Sequence, residues 1–83
     1  MKNISKKSKG YNGYKNYNQW NQSLWINNDE GLYYLAKECI EATDNRDEAI
    51  SLFLANLDIL GIAHTPDGVK WSKAGIRAAL VGM

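Results

Sequence analysis

Residues 16–33 read NYNQWNQSLWINNDEGLY and predict one helix, a break and the start of a second helix. Tyr17, Trp20 and Leu24 recur at steps of three and four residues, which is the spacing of one helical face. We therefore predict a short helix from Tyr17 whose large side chains pack into a core. Asn28 is followed by two acids, an order typical of a helix start, because an Asn side chain accepts hydrogen bonds from free amides and acids favour the positive end of the helix dipole.

Apolar side chains at helical spacing predict a second and a third helix. The second helix should run to about Ala42, and the third should begin at a cap formed by Thr43 or Asp44 and end at Gly61. The side chains predicted to face inward are Leu32, Leu35, Ala36, Cys39 and Ile40 in the second helix, and Ala49, Ile50, Phe53, Leu54, Leu57 and Leu60 in the third.

The C-terminal part of the chain predicts a turn and a fourth helix. Residues 65–68, Thr-Pro-Asp-Gly, carry Pro and Gly at positions typical of a tight turn. A short β pairing around this turn, between residues 62–63 and 69–71, is an alternative to irregular chain. The fourth helix should run from about Ser72 to Val81, with Trp71, Ile76, Ala79 and Leu80 packed inward.

The predicted fold class is all-α, a compact bundle of three or four short helices. We predict that residues 1–16 form a basic, partly ordered N-terminal arm and that residues 17–83 form a single helical domain. Cys39 is the sole cysteine of the 83 residues, so no internal disulfide is expected and a reducing compartment fits. No stretch approaches the ~20 apolar residues of a membrane span, and no apolar segment follows the first lysines as in a secretory signal. We therefore expect a cytoplasmic protein that does not bind membranes.

The arm differs in charge from the rest of the chain. Residues 1–19 contain five lysines and no acid, whereas residues 20–83 contain five basic and nine acidic residues, a net charge of −4. Seven of the nine aromatic residues lie between Tyr11 and Tyr34, which places aromatic rings directly after the lysines. Whatever this protein contacts, the N-terminal third is the expected place of contact.

The stretch at residues 16–33 resembles a motif of small phage-encoded accessory proteins of unassigned function. In those proteins Asn-Tyr-x-x-Trp-Asn-x-x-Leu-Trp runs into Asn-Asp-Glu-x-Leu-Tyr, and the Thr-Pro-Asp-Gly-Val-x-Trp order of residues 65–71 is similar as well. Together the two motifs cover about a third of the chain. The resemblance implies a phage or prophage origin and an accessory role, such as inhibition of a host defence system in the manner of an anti-CRISPR protein. The resemblance assigns no catalytic or ligand-binding role to any residue of this chain.

Few residues of the chain could cooperate in catalysis or metal binding. His64 is the sole histidine and lies beside the predicted turn, and Cys39 falls on an apolar helix face. The acids occur as helix-starting neighbours, which point about 100° apart on a helix and so do not form a two-carboxylate site. We expect no enzyme, no cofactor and no metal.

Binding to a host protein or defence complex is the predicted function. The residues predicted to contact the partner are Lys6, Lys7, Lys9, Tyr11, Tyr14, Lys15 and Trp25. A second surface is an acidic face formed by Glu38, Glu41, Asp44, Asp47, Glu48 and Asp58, which could meet a basic groove. The alternative is nucleic-acid binding, with lysines on phosphates and tyrosine rings on unpaired bases. The sequence also leaves open a homodimer.

Overall fold

The computed structural model describes residues 13–83, which form four α-helices. They are α1 (Tyr17–Asn28), α2 (Glu30–Ala42), α3 (Arg46–Ile59) and α4 (Lys73–Leu80). α1 and α3 each pack mainly against both α2 and α4, which closes the four helices into a bundle. This confirms the predicted all-α fold. Of the predicted arm, the described residues include only its last four, 13–16.

Each helix begins at a side chain that accepts a hydrogen bond from a backbone N–H three residues later. These capping residues are Asn16, Asp29, Asn45 and Ser72. The prediction of an Asn28 cap is wrong, because α1 continues through Asn28 and Asp29 alone separates α1 from α2. Asn28 instead donates from Nδ2 to the carbonyl oxygen of Leu24 at 2.8 Å.

The predicted cap of the third helix is also displaced. Asn45, not Thr43 or Asp44, accepts the N–H of Glu48 at 2.9 Å. The Thr43 hydroxyl is used at the end of α2, where it donates to the carbonyl oxygen of Cys39 at 2.7 Å. The end of α3 agrees with prediction: Gly61 has a φ of 76°, and Ile62 N–H donates to the carbonyl oxygen of Leu57 at 2.9 Å. This is the Schellman arrangement, which favours glycine at the positive-φ position.

The core lies at the centre of the four helices around Phe53. The Phe53 and Trp71 rings meet edge to face, with centroids 6.3 Å apart. The buried apolar cluster consists of Ile26, Ala36, Cys39, Ala49, Ile50, Phe53, Leu57, Trp71, Ile76, Ala79 and Leu80. The inward faces predicted for the second, third and fourth helices are therefore confirmed except at Leu60, which is 64% exposed because the chain turns away after α3.

The inward face predicted for α1 is wrong. Tyr17 is 42% exposed, and Trp20 and Leu24 are half-buried. The face that α1 buries carries Asn21, Gln22, Ser23 and Ile26. Three of these four side chains are polar, so α1 contacts the bundle through hydrogen bonds as well as through Ile26 and the half-buried Trp25.

The tight turn at residues 65–68 is confirmed, since Gly68 N–H donates to the carbonyl oxygen of Thr65 at 2.8 Å. The β pairing around it amounts to one isolated antiparallel bridge between His64 and Lys70. Within residues 13–83, no helix has the length and apolar character needed to cross a bilayer.

Candidate protein-binding site

The buried polar face of α1 (Asn21, Gln22 and Ser23) joins three distant parts of the chain. Each of these side chains is only 1% exposed, which is rare for Asn, Gln and Ser unless their polar atoms are hydrogen-bonded. All three have partners, and the partners lie in the 65–68 turn, at the start of α4 and in the segment before α1. This face therefore determines where the turn, α4 and the end of the arm are held.

Asn21 binds the 65–68 turn. Its Oδ1 accepts the Thr65 hydroxyl at 2.7 Å, and its Nδ2 donates to Asp67 Oδ2 at 2.8 Å. Trp25, one helical turn further on, donates from Nε1 to the same Asp67 oxygen at 2.9 Å. These two donors, the Asn21 amide first, hold the pKa of the Asp67 carboxyl below its ordinary value, because both stabilise the charged form; partial desolvation opposes them. The two sequence motifs are thus bonded to each other in space.

Gln22 binds the start of α4. Its Oε1 accepts the Ser72 N–H at 2.9 Å, and its Nε2 donates to Ser72 Oγ at 3.2 Å. Ser72 Oγ also caps α4 by accepting the Gly75 N–H at 3.2 Å. Gly75 faces the Gln22 amide so closely that a Cβ there would lie 2.2 Å from Gln22 Cδ. The absence of a side chain at Gly75 allows α1 and α4 to approach this closely.

Ser23 binds the segment before α1. Its Oγ and the hydroxyl of Tyr14 share a hydrogen bond of 2.8 Å, and Asn27 Nδ2 donates to the same Oγ at 3.2 Å. Tyr14 is consequently half-buried. This bond fixes the end of the lysine-rich segment at a defined position on α1.

A groove lies beside that position and is here called the α1–α4 groove. It has a volume of about 720 Å³ and runs between the 13–15 segment, α1 and α4. Its lining includes Tyr14, Lys15, Gln19, Ala74, Arg77 and Val81. Both charged lining residues, Lys15 and Arg77, are cationic, and the Arg77 guanidinium forms an exposed ion pair with Asp47 of α3. The groove thus combines small apolar side chains with cations.

The structure brings together two of the predicted contact residues. Tyr14 and Lys15 both line the α1–α4 groove. Trp25 does not line it, and the indole is bonded to Asp67. The other four predicted contact residues, Lys6, Lys7, Lys9 and Tyr11, lie outside the described residues. Which of the seven contact a partner stays a prediction.

Sequence reasoning missed the contribution of α4 to this groove. Ala74, Arg77 and Val81 are about 60 residues away from Tyr14 along the chain, and no local pattern connects them to it. Ala74 and Arg77 lie three residues apart on one face of α4, but this spacing carries no information on which helix packs against that face. The groove depends on α1 and α4 being joined through Gln22 and Gly75.

The remaining candidates for chemistry lie apart from the groove. Cys39 is buried in the core, where desolvation and, to a smaller extent, the Glu38 charge raise the pKa of its thiol. His64 is exposed beside the 65–68 turn. Among residues 13–83, no three His, Cys, Asp or Glu side chains are close enough together to hold a metal ion.

The acidic face predicted on α2 and α3 is solvent-exposed. All six carboxylates, Glu38, Glu41, Asp44, Asp47, Glu48 and Asp58, are exposed. Two are engaged locally, since Asp47 pairs with Arg77 and Glu48 accepts the Asp44 N–H at 3.3 Å. Exposed carboxylates with local contacts of this kind are typical of solvated helix faces and helix caps.

These features define a small four-helix domain in which a polar helix face joins an N-terminal segment to a cationic groove. The chain belongs to a family of unknown function (DUF7249), whose profile matches residues 7–82. The match includes residues 7–16 of the arm as well as the helical domain. No curated protein and no solved structure gives a significant match.

Proposed function

We propose that this protein is a phage or prophage accessory protein that acts in the host cytoplasm by stoichiometric binding to a host protein. The observation that carries the proposal is the hydrogen bond between the Tyr14 hydroxyl and Ser23 Oγ. It holds the end of the lysine-rich segment beside a groove whose own charged residues are Lys15 and Arg77. Lys15 of the arm and Arg77 of α4 therefore line the same groove, and the Arg77 guanidinium also pairs with Asp47.

The charge distribution indicates the kind of partner. Lys6, Lys7 and Lys9 precede Tyr11 and Tyr14 by only a few residues, so the arm combines positive charge with amphipathic rings. Tyrosine is favoured in interface centres because its ring buries a large apolar area while its hydroxyl keeps a hydrogen bond. An acidic segment of a partner protein fits the arm and the α1–α4 groove by charge.

Binding rather than catalysis is supported by the use of the polar side chains. Asn21, Gln22 and Ser23 have structural partners. The Cys39 thiol is buried with a raised pKa, which disfavours the nucleophilic thiolate. A protein of this kind acts by covering a surface, blocking a site or altering an assembly.

Inhibition of a host defence complex, including a CRISPR complex, is the specific form of the proposal. It rests on the resemblance of residues 16–33 and 65–71 to phage accessory proteins. The test is phage or plasmid challenge of defence-competent cells that express the full chain. Reduced defence is expected, and undiminished defence would rule out this specific form while leaving protein binding to be tested separately.

Nucleic-acid binding is the second candidate, and the observation that favours it is the alternation of lysines with Tyr11, Tyr14 and Tyr17. Binding through phosphates would weaken steeply with salt, because each phosphate contact on a single strand contributes a slope of about −0.7 in log K against log salt. Binding through buried aromatic rings should change far less with salt. A salt titration of the isolated complex distinguishes the two.

The primary test is capture of partners by the tagged full chain from a bacterial lysate, with and without nuclease. A protein recovered in a fixed molar ratio after nuclease treatment supports the proposal. Recovery that vanishes with nuclease would move the nucleic-acid function to first place.

A further inference from the structure

The end of α3 exposes an unusual amount of apolar surface. Ile59 is 81% exposed and Leu60 is 64% exposed, Tyr34 of α2 is 58% exposed, and Ile62 is 37% exposed. The Schellman turn at Gly61 produces this arrangement, since it reverses the chain and leaves the side chains on both sides of the glycine outside the core. Scattered exposed apolar residues are normal, but a contiguous group of them marks an interaction surface. Of these residues, Tyr34, Leu60 and Ile62 line one groove together.

Two apolar grooves meet at Ile62. The first lies between α2 and the end of α3 and is lined by Leu32, Tyr34, Leu35 and Leu60. The second runs along α3 to the segment before α4 and is lined by Leu54, Ala55, Leu57 and Trp71. We call the two grooves together the Ile62 surface. It lies apart from the α1–α4 groove, with which it shares no lining residue.

The charges at the two ends of the Ile62 surface have opposite signs. The first groove carries the acids Asp29 and Glu38 and no cation among its lining residues. The second carries Lys70 and Lys73 against the single acid Asp58, so its edge is net positive. A partner that matched this surface would need an apolar centre with a basic side facing Glu38 and an acidic side facing the lysines.

This chain itself meets that requirement. We propose that the Ile62 surface is a two-fold interface between two copies of this protein. A two-fold axis near Ile62 places the apolar centre of one copy in contact with the apolar centre of the other. The same operation brings Asp29 and Glu38 of each copy opposite Lys70 and Lys73 of its partner. A two-fold axis that crosses the surface between its two ends places each end of one copy against the other end of its partner. A surface with opposite charges at its ends is therefore complementary to itself.

The test is the mass of the full chain in solution, measured by sedimentation equilibrium over a wide range of concentration. The wild-type protein is expected to dimerise with a dissociation constant on the order of tens of micromolar. Leu60→Asp is expected to weaken the dimer at least about tenfold by placing a charge in the apolar centre. Val81→Asp, at an exposed apolar residue outside the surface, is the matched control and should dimerise like the wild type.

Charge reversal distinguishes this interface from other dimers, even if Leu60→Asp were to fold poorly. Glu38→Lys alone and the pair Lys70→Glu/Lys73→Glu should each favour the monomer, because like charges then meet across the axis. An equimolar mixture of these two variants should form heterodimers, in which position 38 of each copy again faces charges of opposite sign at positions 70 and 73 of the other. A wild-type protein that stays monomeric at about 500 µM would overturn the proposal. So would a dimer that is insensitive to these changes, since its interface would then lie elsewhere.

Discussion

At the scale of single residues, Asp67 is the acceptor that holds Asn21 and Trp25 to the 65–68 turn. Because these hydrogen bonds lower its folded-state pKa, the folded protein binds this proton less tightly than the unfolded chain does. The stabilisation is fully present above the unfolded carboxyl pKa of about 3.9 and is lost as the pH falls through the lower folded-state value.

The prediction for Asp67 is a change in acid stability. Asp67→Asn should lower the melting temperature at neutral pH and flatten its decline between about pH 5 and pH 2, because the titrating group is removed. Thermal unfolding followed by circular dichroism over this pH range provides the measurement. Asp58→Asn, on the surface of α3, is the control: it keeps Asp67, so its melting temperature should fall with acid more steeply than that of Asp67→Asn. Equal profiles for Asp67→Asn and the wild type would refute this role of Asp67.

Asn21 gives a second prediction, because its amide is buried and bonded through both polar atoms. Asn21→Ala should reduce the free energy of unfolding by about 1–3 kcal/mol, since the buried Thr65 hydroxyl loses its acceptor. Asn28→Ala is the matched control in the same helix: Asn28 is exposed, and its loss should cost about 0.5 kcal/mol or less. Urea unfolding of the three proteins measures both values, and equal costs for the two variants would contradict the assignment.

At the scale of helices, the contact between α1 and α4 depends on Gly75. Alanine normally stabilises a helix interior by up to about 1 kcal/mol relative to glycine. Here a Cβ would overlap the Gln22 amide, which is fixed by its bonds to Ser72 and cannot move without losing them. We therefore expect Gly75→Ala to destabilise the protein by about 1–3 kcal/mol in spite of the gain in helix propensity.

The control for Gly75 is another helical glycine. Gly31→Ala in α2 meets nothing closer than Asp29 Oδ2 at 3.4 Å and should be neutral or slightly stabilising. Adding Gln22→Ala to Gly75→Ala should cost less than the sum of the two single changes, because the overlap is then removed. Additive costs in urea unfolding would show that Gly75 does not act through Gln22.

The same contact explains how far the sequence predicts this fold. α2, α3 and α4 bury the apolar faces that their spacing indicates, because side chains such as Phe53 and Ile76 have no polar groups to satisfy. α1 does not bury the apolar face that its spacing indicates. It buries Asn21 and Gln22 instead, because the 65–68 turn and Ser72 offer hydrogen-bond partners to their amides. These partners lie more than 40 residues away along the chain, so periodicity could not identify the inward face.

At the scale of the whole molecule, the buried polar face of α1 and the α1–α4 groove have different roles. The two sequence motifs bind each other through Asp67. The arm ends at Tyr14, whose hydroxyl bond to Ser23 directs the chain to the α1–α4 groove. The motifs thus hold α1 to the 65–68 turn within the helical domain, while the arm and the groove are the proposed contact surface. The position of the arm beside α4 could not be read from the sequence, because no local pattern pairs Lys15 with Arg77.

Charge in the arm is the feature on which the proposed function depends. The variant Lys6→Glu/Lys7→Glu/Lys9→Glu reverses three charges upstream of Tyr14. The variant Lys6→Arg/Lys7→Arg/Lys9→Arg changes the same positions and keeps the charge, so it is the matched control. Both variants should melt at the wild-type temperature, because the core and the polar face of α1 consist of residues within the described part of the chain.

The decisive measurement is capture from nuclease-treated lysate by these two variants and the wild type, with the molar ratio in each complex determined by native mass spectrometry. The account predicts that the wild type and the arginine variant recover the same protein in a fixed ratio and that the glutamate variant, although folded, does not. Recovery of that protein by the glutamate variant at the wild-type level would contradict the account.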